Sequence, residues 1–181
     1  MDTQNHLHQT LWTIGHSTHS AETFIAMLKA YDIQVLVDIR RLPGSRKYPH
    51  FNQEALELIL MHQNIQYVYL PELAGRRKVK PDSLNTAWRN RSFQGYADYM
   101  ETAEFMHGIH TLQAIAEEFR TAIMCAEAVW WRCHRSMVAD YLKSIGWTVI
   151  HILDEKQSRI HPYTGAANIR HGKLNYHSNH P

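Results

Sequence analysis

The stretch LWTIGHSTHSAETFIAMLKAYDIQVLVDIR, residues 11–40, decides the fold class. Residues 11–14 and 33–39 are short apolar runs enriched in β-branched side chains, the composition of buried strands. Between them Phe24, Ile25, Leu28 and Tyr31 recur at helical spacing behind Ser20, a helix-capping residue type. Strand, helix and strand in that order read as a βαβ unit. The same alternation continues outward. Asn52 caps a helix carrying Leu56, Ile59 and Leu60, and residues 66–70 form a strand. A long loop then leads to a helical region over 93–119, and strand 122–125 follows. Helix 134–145, with Met137, Val138, Tyr141 and Leu142 on one stripe, ends at Gly146 before strand 148–153. The prediction is an α/β fold: a single domain with a mostly parallel sheet of about five strands and helices on both faces. It spans residues 11–154, while 1–10 and 155–181 are expected to be polar, His-rich and irregular.

Composition agrees with one globular domain. The chain has 181 residues, 44% of them apolar, enough for a sizeable core. There is no internal repeat, coiled-coil heptad or low-complexity block. No basic start with an apolar stretch marks a signal peptide, and no apolar run reaches the roughly 20 residues that span a bilayer. The expected location is the cytoplasm, with no membrane partner. Two cysteines, Cys125 and Cys133, are too few for a secreted disulfide scaffold, although one bridge stays open.

A net charge of only +2 conceals a separation of signs. Segments 40–47 and 76–91 hold ten cations against the single acid Asp82, which leaves nine cations against sixteen acids elsewhere. A basic focus on an acidic body favours an anionic small molecule or nucleic acid as partner, the alternative being ordinary solvated loops. In a parallel sheet the strand C-termini share one edge, where ligands bind near the topological switch point. His16 and Ser17 follow the first strand, Asp38, Arg40, Arg41 and Ser45 the second, and Glu72 and Arg76 the third. Cys125, Glu127, Arg132, Cys133, His134 and Arg135 follow the fourth.

These residues sit in runs that resemble a known family, the domain of unknown function 488 family. The runs are Thr-Ile-Gly-His-Ser at 13–17, Val-Asp-Ile-Arg at 37–40 with Pro43 to Ser45, and Phe51-Asn52. Others are Leu-Pro-Glu-Leu at 70–73 with Gly75, Trp-Arg-Asn at 88–90, and Phe93 with Gly-Tyr-Ala-Asp-Tyr-Met at 95–100. The most specific are Met-Cys-Ala-Glu-Ala at 124–128 and Trp-Arg-Cys-His-Arg at 131–135. The chain departs from the pattern at Ala74, where a glycine is common, and at Trp130, where proline is. The resemblance covers about residues 11–153 and implies an α/β fold and a shared site, with no established reaction.

The chemistry has several readings. Cys125 at a strand end, followed by a helix that starts near Arg135, suits a thiol made more acidic by a helix N-terminus and a guanidinium. The arrangement is weakly similar to the cysteine loops of rhodaneses and cysteine phosphatases, but those phosphatases place Arg six positions after Cys, against seven to Arg132 and ten to Arg135 here. The alternative is an inert strand cysteine. Glu127 and His16 are candidate acid/base groups. Cys125, Cys133, His134 and His16 are an alternative metal set, without a standard zinc spacing. Trp88, Phe93, Tyr96 and Tyr99 either stack a base or pack a core. No cofactor is identified by the residues. The expectation is an enzyme acting on a phosphate-bearing, nucleotide or nucleic-acid-related ligand; the alternatives are a non-catalytic nucleotide or nucleic-acid binding module and a metal-binding protein.

Overall fold

The computed structural model describes residues 9–178. Its chain runs β1 (Thr10–Gly15), α1 (Ala21–Ala30), β2 (Val35–Asp38), α2 (Gln53–His62) and β3 (Gln66–Tyr69). It continues through α3 (Arg91–Tyr99), α4 (Ala103–Glu118), β4 (Thr121–Cys125), α5 (Arg135–Ser144) and β5 (Thr148–Ile152). Ser20 caps α1 as its residue type predicts, its side chain accepting from the Thr23 amide. The helical region after the long loop is two helices, broken where Thr102 caps α4 by accepting from the Phe105 amide.

One sheet has the order β3-β2-β4-β1-β5-β6, all parallel except β6 (Ser158–Ile160), which pairs antiparallel with β5. Period-two alternation sends Leu11, Val35 and Val37 to one face and Trp12 and Leu36 to the other. The first face packs under α3, α4 and α5 through Tyr96, Phe105, Ile109, Met137 and Val138. The second packs under α1 and α2 through Phe24, Leu28, Leu56 and Leu60. Each fully buried Leu or Phe contributes about 1.5–3 kcal/mol, so two apolar faces hold the sheet between helical layers. Among the described residues no helix is long and apolar enough to cross a membrane.

The C-terminal segment corrects the expectation of irregular chain over 155–181 as far as residue 178; the N-terminal irregular segment, bar residues 9 and 10, and His180 lie outside the described residues. Besides β6, a hairpin joins β7 (Asn168–Arg170) to β8 (Lys173–Asn175) through His171 and Gly172, both at positive φ, as tight hairpin turns require. Asp140, buried in α5, fixes this segment. It accepts from His161 Nε2 (2.8 Å), the Thr164 amide (2.9 Å) and hydroxyl (2.6 Å), and the Tyr176 hydroxyl (2.9 Å). His161 continues the chain of bonds to His151 (2.8 Å) and through it to Thr13 (2.6 Å) on β1.

Candidate functional site

The switch point falls between β1 and β4: the helix after β1 leads toward β2, while α5 after β4 leads over β1 to β5. Ligands bind at such a point, and the two strand ends there are zipped together past the sheet. Gly15 aligns with Cys125, the His16 amide donates to the Cys125 carbonyl (2.9 Å), and the Ser17 amide donates to the Ala126 carbonyl (2.9 Å). Gly15 is required by this closeness, because a Cβ there would stand 1.8 Å from the Glu127 carbonyl oxygen.

A cleft of about 780 Å³ opens at this edge. His16, Cys125, Cys133 and His134 line its inner part, and Ser17, Arg40, Ser45, Arg76, Glu127 and Arg132 also line it. Three expected site residues do not line it. Asp38 is buried behind Arg40, pairing with its Nη2 (2.7 Å) and Nε (3.0 Å) and accepting from the Tyr67 hydroxyl (2.6 Å); it orients the guanidinium. Glu72 sits in the turn against Gly108 of α4. Arg135 is 1% exposed and lies behind Cys125.

Of the basic focus, Arg77 is used by the fold. Its guanidinium stacks on the Tyr99 ring at 3.6 Å and donates to the Ala74 and Pro71 carbonyls. Tyr96 and Tyr99 are core residues, as helical spacing suggested, although Tyr96 also touches the cleft and packs edge-on to His134. Thr18, Tyr48, Asn90 and Ser92 line the cleft unforeseen as site residues, while Arg41 lines it in keeping with its place after the second strand. Asn90, at the end of the long loop, caps α3 and Ser92 lies in its first turn; nothing in the spacing of that loop says which part folds back.

The electrostatics are unusual at the floor. Arg135 Nη1 lies 2.5 Å from Cys125 Sγ and 2.6 Å from the Glu127 carbonyl, Nη2 donates to the Ala128 carbonyl (3.0 Å), and Nε has no partner. No carboxylate bonds this buried cation; burial pulls Arg135 down to about 9, against a smaller opposing pull from the Glu127 carboxylate. Cys125 and Cys133 meet sulfur to sulfur as a disulfide, with Cα atoms 7.4 Å apart. Cys133 Sγ also receives the Arg135 amide at the start of α5 (3.5 Å). His134 donates from Nε2 to the Ile39 carbonyl (3.1 Å), so its Nδ1 lone pair faces Cys133 Sγ at 3.7 Å. Gly75 makes room for that ring, since a Cβ there would be 2.8 Å from Nδ1.

His16 is tied similarly. Its Nδ1–H donates to the Ser17 carbonyl (3.0 Å), it stacks on Phe51, and its Nε2 faces Arg40 Nη1 at 3.4 Å. Burial, with Arg40 adding, brings His16 down to about 4; burial likewise brings His134 to about 4 and His151 to about 2. All three are neutral at pH 7, so His16 is a hydrogen-bonding group rather than a strong base. Among the described residues no three His, Cys, Asp or Glu are grouped to hold a metal, and the cation beside Cys125 disfavours one there.

A pH prediction follows. An unfolded His titrates near 6.5, so as pH drops from 6.5 toward 4 the unfolded chain takes up protons that the folded chain refuses. Stability is full above 6.5 and is lost below it, on the order of 1–2 kcal/mol for each of His16, His134 and His151 by pH 5. Urea unfolding at pH 7.5, 6 and 5 measures this; a midpoint that stays level across that range contradicts the neutral assignment.

A protein-family model with the description Domain of unknown function DUF488 matches residues 20–142. Comparison with curated proteins and with solved structures gave no match.

Proposed function

Because the chain belongs to the DUF488 family, whose description supplies no reaction, we propose a function from the site itself: an enzyme in which a Cys125 thiolate acts on a phosphate-bearing ligand held by the cleft arginines. The observation that carries this is Arg135. A buried charge is strongly unfavourable without a counter-charge, and the side-chain group this guanidinium touches is the Cys125 sulfur. A thiolate supplies the missing negative charge, and the same attraction makes the thiol acidic. The mouth complements an anion: Arg40, Arg41, Arg76 and Arg132 line it against one lining carboxylate, Glu127. Glu127 is exposed beside the cysteine loop and is the candidate proton donor or acceptor. Arg40 is pre-aimed by Asp38, so it loses little rotamer freedom on binding.

The test uses thiol-reduced protein. Cys125 should react with iodoacetamide near neutral pH faster than a free thiol, and inorganic phosphate or a mononucleotide should protect it. Arg76→Ala, on the exposed rim, should weaken that protection several-fold without slowing alkylation in buffer alone. A mononucleotide should show shallow salt dependence, whereas an oligonucleotide bound along its backbone would lose affinity with a logarithmic slope of roughly 0.7 per neutralised phosphate; the steep result would favour the nucleic-acid binding alternative. Slow alkylation with no protection by either anion would overturn the proposal.

A further inference from the structure

A nucleophilic Cys125 needs no second thiol, yet Cys133 meets it sulfur to sulfur across eight residues of sequence. One residue serves both: Arg135 offers its guanidinium to Cys125 and its backbone amide to Cys133. His134 turns its Nδ1 toward Cys133 Sγ, where it can accept a hydrogen bond from the thiol. Both cysteines line the cleft, at 3% and 5% exposure.

The buried charge sets the preferred state of the pair. With Cys125 as thiolate, the guanidinium is compensated. Closing the disulfide removes that negative charge and leaves a buried cation bonded to backbone carbonyls, with the Glu127 carboxylate acting on it only at a distance. A disulfide whose reduced form is stabilised in this way is easily reduced, the behaviour of labile pairs and not of structural ones.

We propose that Cys125 is a peroxide-reactive modification site with Cys133 as its resolving thiol, the pair closing and reopening as a redox switch on the cleft. This rests on the thiolate reading of Cys125. In closing, the Cys125 thiolate attacks one oxygen of hydrogen peroxide; the O–O bond breaks, hydroxide leaves and Cys125 becomes a sulfenic acid. Cys133, its proton released to solvent in the cleft, attacks that sulfur. The S–O bond breaks, and the departing hydroxide takes up a proton to leave as water. The two sulfurs together give up two electrons and the peroxide accepts both. In reopening, an external thiol attacks the disulfide and a second thiol completes the reduction, themselves ending as a disulfide.

The experiment treats fully reduced protein with hydrogen peroxide, blocks the remaining thiols and weighs the intact chain and its peptides. Wild type should lose both free thiols and two hydrogens in mass, and dithiothreitol should restore them. Cys133→Ser should instead gain oxygen on Cys125, passing to sulfinic acid that thiols do not reverse; Cys133→Ala repeats the readout if serine disturbs the turn. Alkylation of the same reduced samples separates the two readings. Fast alkylation of Cys125 with equal oxygen gain in wild type and both Cys133 variants overturns the switch alone. Slow alkylation overturns the thiolate and the switch with it.

Discussion

Arg135→Met is expected to slow alkylation of Cys125 near neutral pH by about tenfold for each unit by which its acidity retreats toward the free-thiol value near 8.5. The guanidinium is the one cationic side chain bonded to that sulfur, and its field acts across a buried, weakly screened gap. Stability should respond in the opposite sense to an ordinary core deletion. Replacing a buried charge that bonds no carboxylate by an apolar side chain of similar volume is often neutral or stabilising, and Glu127 and Ala128, whose carbonyls lose a donor, are exposed residues. Arg135→Lys keeps the charge without the forked donors, so it should retain part of the reactivity. The pH profile of the alkylation rate, run beside a thermal melt, checks both halves. A profile identical in wild type and Arg135→Met would show that the thiol owes nothing to the cation.

Asp140→Ala is expected to cause the largest loss of stability, about 3–5 kcal/mol, because it removes a buried carboxylate on which four donors converge. His161, the Thr164 amide and hydroxyl, and the Tyr176 hydroxyl all converge on it, and His161 and Tyr176 are 1% and 2% exposed. The effect should localise as well as weaken. β6 and the β7–β8 hairpin should become cleavable by protease while the five parallel strands stay protected. Urea unfolding and a timed digest measure these; a cost below about 1 kcal/mol would mean that packing of Tyr176 on Trp88, rather than this carboxylate, holds the segment.

The parallel strands and the helices between them were legible because each is long enough to show its period, and the cleft edge was legible because a parallel sheet puts every strand C-terminus on one side. What escaped had other causes. β6, β7 and β8 are three residues each and mostly polar, too short for alternation to register. Asp140 falls on a helical stripe like any surface acid, and its burial depends on a segment more than 20 residues downstream. Glu72 and Arg77 carry the charges of a binding loop, yet one packs on Gly108 and the other clamps two carbonyls and a tyrosine ring. Arg135 was placed in the cleft by position along the chain; the structure puts its backbone at the start of α5 and turns its side chain inward behind Cys125.

The strand order has a consequence for synthesis. Of the five parallel strands β1 is made first, yet its neighbours are β4 and β5, and Trp12 waits for Ala122. At about 5–20 residues per second that interval lasts roughly 5–20 s. Over that time a nascent chain carries an apolar strand without hydrogen-bonding partners, and β2 and β3, which adjoin each other, are the parallel pair able to form ahead of β4. Closing the centre of the sheet therefore waits for β4, and the floor of the cleft, made where β1 meets β4, is assembled only after β2, β3 and the helices between β1 and β4 have been made.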